Sequence, residues 1–117
     1  MKTHKDLEIW QKGIELVEKI YKLTSLFPKE EIYGLISQMR RAAISYSSNL
    51  AEGAARSSTK EFIYFGYISL GTLSELETQV IISSRLGYYN NPDILDDIER
   101  LRKMTINFIK YLKTKSK

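Results

Sequence analysis

Lys110, Lys113, Lys115 and Lys117 crowd the last eight residues of the sequence, and Arg100 and Lys103 precede them at helical intervals. Cations spaced in this way do one kind of chemistry well: they neutralise a row of phosphates without reading a sequence. The 117-residue chain has a formal net charge of +4, and that charge is uneven. Residues 1–99 hold 11 Lys and Arg against 14 Asp and Glu, whereas residues 100–117 hold seven basic residues and no acid. Two readings fit. A solvated helix end also favours cations, and an anion-binding patch would take nucleic acid as its first ligand.

A second set of charged residues, Arg40, Arg41, Glu75 and Glu77, falls near the middle of long helical patterns. A half-buried guanidinium needs a carboxylate beside it, which predicts a structural ion network fixing helix register or subunit docking. Full exposure would make the same pairs worth little. Glu75 and Glu77 leave a helix about 200° apart, so they cannot share an acid–base site within one chain. Asp96 and Asp97 open a helix, where its dipole explains them.

Catalytic groups are scarce. His4 is the only histidine and there is no cysteine, which argues against di-metal bundles, zinc sites and Ser-His triads. The glycines lack phosphate-loop spacing. No enzyme activity, metal or cofactor is expected. Tyr64, Tyr67, Tyr88 and Tyr89 could stack bases, but tyrosines at helical spacing more often pack or form interfaces. No apolar run approaches membrane-spanning length and no signal-peptide core is present, so a cytoplasmic protein without a membrane partner is expected.

The elements that must position these groups are four helices at about 5–26, 30–54, 58–86 and 92–113, in one domain spanning 1–117. The first carries two adjacent apolar series, one through Leu7, Trp10, Ile14, Val17 and Tyr21 and one through Ile9, Gly13, Leu16 and Ile20. Together they are wider than a two-helix seam needs. Phe27-Pro28 ends that helix. The second buries Ile32, Ile36, Met39, Ala43, Tyr46 and Leu50, and beside that stripe runs a small polar one containing Ser45, Asn49 and Glu52. Small residues admit close helix approach, which makes the second stripe a candidate assembly surface.

Ser58 and Glu61 form a capping-box pattern opening the third helix, and Gly87 suits its C-terminal turn. Asn91 or Pro92 introduces the fourth, whose Ile94, Ile98, Leu101, Thr105, Phe108 and Leu112 face inward. Thr114–Lys117 is expected to fray. Short connections force neighbours antiparallel, so the fold class is all-α: an antiparallel up-down-up-down four-helix bundle.

Trp10-Gln11-Lys12, Ile32-Tyr33-Gly34-Leu35, Gln38-Met39-Arg40-Arg41-Ala42-Ala43, Ser48-Asn49-Leu50-Ala51-Glu52-Gly53 and Leu73-Ser74-Glu75-Leu76-Glu77-Thr78-Gln79 occur in order. This set resembles the bacterial four-helix-bundle family encoded in intervening sequences of 23S ribosomal RNA genes, over about residues 3–112. The chain departs from the family at Ser47, where a proline is frequent, and at Tyr46, where an aliphatic residue is usual. The resemblance implies a homopentameric ring and association with RNA or the ribosome. It also brings in the related accessory protein of diversity-generating retroelements, which binds nucleic acid and a reverse transcriptase. The sequence thus suggests a non-enzymatic, homo-oligomeric nucleic-acid-binding protein, with a protein–protein adaptor such as a reverse-transcriptase accessory subunit as the alternative.

Overall fold

A computed structural model describes residues 3–91 and 93–115. Its helices are α1 (Glu8–Thr24), α2 (Leu35–Ala54), α3 (Thr59–Arg85) and α4 (Asp93–Lys115), joined as an antiparallel up-down-up-down bundle about 48 Å long. Pro92 and Lys117 lie outside the described residues. One hydrophobic cluster joins all four helices, centred on Ile20, Met39, Tyr46, Leu50, Leu73, Leu76 and Ile98.

Each helix follows its apolar period, with three local departures. The first helix starts at Glu8, later than the expected position near residue 5. His4 lies outside it in a short 3-10 turn, His4–Asp6, capped by Thr3, and its ring meets Trp10 edge-on at 5.0 Å. The second helix starts later than its periodicity suggests. Lys29–Glu31 forms a separate 3-10 turn, the chain breaks at Gly34, and Glu31 Oε1 then accepts the Leu35 N–H at 3.1 Å. The break turns Ile32 and Tyr33 outward, 55% and 93% exposed, so Ile32 is not part of the buried stripe. At the other end α4 stays helical through Thr114 and Lys115, where fraying was expected. There Ile109 is fully buried and Phe108 only half-buried.

Of the expected Ser58–Glu61 capping box the forward bond forms, and the helix ends on glycine as expected. Ser58 Oγ accepts the Glu61 N–H at 3.1 Å. Gly87, with φ +80°, closes α3: its N–H reaches the Ser84 carbonyl while the Tyr88 N–H reaches that of Ser83. This pairing satisfies carbonyls that a helix end otherwise leaves open.

Two glycines set how closely the helices approach. A Cβ on Gly13 would lie 2.3 Å from Ser47 Oγ and 2.8 Å from Tyr46 Cδ2, and one on Gly53 would lie 2.8 Å from Phe65 Cβ. Both positions therefore hold α2 against its neighbours at backbone range. Gly13→Ala should cost about 1–3 kcal/mol, despite alanine's better helix propensity, because Tyr46 has no room to retreat. A urea-unfolding midpoint equal to that of the unaltered chain would show that α1 and α2 can slide apart freely.

Candidate nucleic-acid interface

The basic row of α4 divides into two chemically distinct parts. Its arginines are already neutralised. Arg100 pairs with Asp97, which also receives Lys19 of α1 at 2.8 Å. Arg102 makes a two-pronged bond to Glu99, at 3.0 and 2.9 Å. That guanidinium holds the Glu99 carboxyl below its ordinary range, while Glu77 adds a longer-range attraction to Arg102. The signal for this compensation was present in the sequence as two acid–base pairs at i and i+3, Asp97–Arg100 and Glu99–Arg102. Asp97 thus ties α1 to α4, a task that the helix dipole alone does not reveal.

The lysines remain open. Lys103 and Lys110 are exposed, and among the described residues neither forms an ion pair. Lys113 and Lys115 touch aromatic faces instead: Lys113 Nζ lies 5.1 Å from the centre of the Tyr67 ring, and Lys115 Nζ 5.3 Å from that of Tyr111. An ammonium on a ring keeps its charge available, since an exposed cation–π contact is weak beside an ion pair with phosphate.

The central charged residues are placed differently from a four-membered network. Arg40 donates through Nε to Thr24 Oγ1 at 2.9 Å and lies 4.3 Å over the Tyr21 ring, so it bonds to α1. Glu75 is exposed, with Gln79 Nε2 at 3.5 Å, and Arg41 is exposed. Among the described residues no ion pair joins Arg40 or Arg41 to Glu75 or Glu77. On the small polar stripe Asn49 donates to the Ser45 carbonyl and hydroxyl at 2.9 and 3.0 Å, and Glu52 pairs with Arg56 at 2.9 Å. These groups are satisfied within α2 and its C-terminal turn.

A separate apolar surface lies along the outer groove between α1 and α2. Trp10, Ile14, Val17, Tyr21 and Ile44 line it, with Arg40 at one edge. It is formed by the apolar series of α1 that runs through Trp10, Ile14, Val17 and Tyr21: Trp10 and Val17 pack only partly against the core, and Ile14 and Tyr21 stay exposed.

Residues 5–107 match the family of 23S rRNA-intervening sequence proteins. The chain belongs to that family. Among solved structures it is similar to a protein of unknown function from the S23 ribosomal protein family of Bacteroides thetaiotaomicron. The two are 23% identical, with a TM-score of 0.79 over 87% of this chain and 95% of that one. This likeness concerns the fold. No curated protein matches the sequence. Among the described residues no group of His, Cys, Asp or Glu is placed to hold a metal, and no helix is long and apolar enough to cross a membrane.

Proposed function

We propose that the chain is a homo-oligomeric RNA-binding protein whose contacts are chiefly to phosphates. The observation that carries this reading is the row of exposed lysines on α4, Lys103, Lys110, Lys113 and Lys115, beyond the last carboxylate of the helix and, among the described residues, in no ion pair. Lys117, outside the described residues, extends the row in sequence. Arg100 drops to a supporting role, because Asp97 already holds it. The family's name concerns 23S rRNA, which favours RNA over DNA as the polyanion.

Assembly is supported by the α1–α2 groove and by the exposed charges Arg41 and Glu75. In a closed ring each subunit presents two different patches to its neighbours. Arg41 and Glu75 are proposed to meet across that boundary, with Ser45, Asn49 and Glu52 flanking it. A pentamer, as the family resemblance suggests, would bring five lysine rows to one rim, and a polyanion spanning several of them gains by effective concentration. The second reading is an adaptor for a protein such as a reverse transcriptase, and the apolar groove favours it.

Two measurements separate these readings. Light scattering should give one closed oligomer, and Ile44→Asp, which places a charge in the groove, should disperse it into helical monomers. A monomeric unaltered chain would refute the ring. RNA affinity should fall steeply with salt, log K dropping about 0.7–0.9 per log unit of salt for each phosphate contacted. An intact oligomer that ignores RNA at low salt would hand the lead to the adaptor.

A further inference from the structure

The bundle end where the first turns of α3 meet the last turns of α4 carries aromatic rings that the core does not use. Tyr64, Tyr67 and Tyr111 are 62%, 46% and 53% exposed. The two helices meet closely here: Phe62 stacks edge-on against Phe108 at 5.3 Å, and Phe108 in turn lies 6.2 Å from Tyr111. Scattered exposed aromatics need no explanation. These, however, are interleaved with cations, Lys113 over Tyr67 and Lys115 over Tyr111, while Lys60 lies one turn before Tyr64.

The charge around them is nearly all of one sign. From Phe62 to Ser74 α3 has no charged residue, and α4 has no acid after Glu99. Glu61 is the single carboxylate of α3 before Glu75. Tyr64 and Tyr67, at i and i+3, rise about 4.5 Å along one helix face, a spacing two neighbouring bases can follow.

We propose that this tyrosine–lysine surface is a stacking platform for unpaired bases, so that the RNA bound is single-stranded. The inference rests on the proposed RNA binding and adds the class of strand. A duplex offers phosphates but hides its base faces, whereas a single strand offers both. Arrival of a strand draws the Lys113 and Lys115 ammonium groups to phosphates and frees the Tyr67 and Tyr111 rings for bases. A partner protein seated on the same rings is the competing outcome.

The test uses the full chain with poly(A) oligomers and an RNA duplex of equal phosphate count. The unaltered protein should prefer the single strand. Tyr64→Leu/Tyr67→Leu should lose about 10- to 100-fold of single-strand affinity, with salt slope and duplex affinity unchanged. Tyr64→Phe/Tyr67→Phe should bind normally. Independently of any variant, the ring protons of Tyr64 and Tyr67 should move upfield in NMR spectra as poly(A) is added. Equal affinity for strand and duplex, full binding by the leucine variant, or unmoved ring resonances would each overturn the platform while leaving phosphate binding intact. No binding of either RNA would remove both proposals, and loss of the oligomer in the leucine variant would assign the rings to a protein contact.

Discussion

Replacing Lys110, Lys113 and Lys115 together by glutamine should lower the proposed RNA affinity on the order of 100-fold at physiological salt and reduce the salt slope by about 2–3. Each lysine that meets a phosphate releases a counterion, and the triple variant removes three from every chain in contact. The fold is spared. All three side chains are exposed, none joins an ion pair among the described residues, and exposed substitutions of this kind cost roughly 0.5 kcal/mol or less. Arg100→Gln and Arg102→Gln provide the contrast. Their charges are held by Asp97 and Glu99, so the slope should change little while the α4 surface network loosens. Fluorescence anisotropy across a salt series reads both outcomes. A triple variant with the original slope would mean that the lysines only solvate a helix end.

The largest stability effect should come from Tyr46. Its ring is fully buried where α1, α2 and α4 converge, and its hydroxyl shares a 2.6 Å hydrogen bond with Thr105. Tyr46→Ala leaves a ring-sized void and should cost about 3–5 kcal/mol, a large part of a domain's usual stability. Tyr46→Phe should cost only about 1 kcal/mol. Thr105 keeps its 2.7 Å bond to the Leu101 carbonyl, so no buried donor is stranded.

The phenol also has a pH signature. Burial pushes the Tyr46 pKa well above its ordinary 10.0. Its stabilising contribution is complete below that value. As pH rises past 10.0 the unfolded chain releases the proton and the folded one does not, so stability falls. Tyr88, raised first by its hydrogen bond to Glu31, and Tyr89, raised by burial, act in the same sense. Tyr46→Phe should therefore soften the alkaline loss without abolishing it. Urea unfolding between neutral pH and pH 11 measures the difference, and identical pH profiles would mean that Tyr46 titrates normally.

Helix number, order and inward faces were legible in the sequence because amphipathic period and caps are local properties. Ile36, Met39, Ala43, Tyr46 and Leu50 could be placed on one buried stripe from spacing alone, and Ser58 and Gly87 marked their helix ends through backbone chemistry confined to a few residues. The basic end of α4 was equally plain, since charge is written in residue type. What the sequence left open depends on partners distant along the chain. Arg40 could have met a carboxylate on α3, but the bundle rotates it toward α1, where Thr24 and the Tyr21 ring receive it. Asp97 looked like a dipole residue until α1 brought Lys19 beside it. Tyr64 and Tyr67 had the spacing of packing residues, yet α4 meets α3 through Gly66 and Ile109 and leaves both rings largely outside, with Lys113 of α4 over the Tyr67 ring. Local pattern fixes which face of a helix is apolar; only the packed bundle decides which of those faces find a neighbour, because burial is a property of the pair.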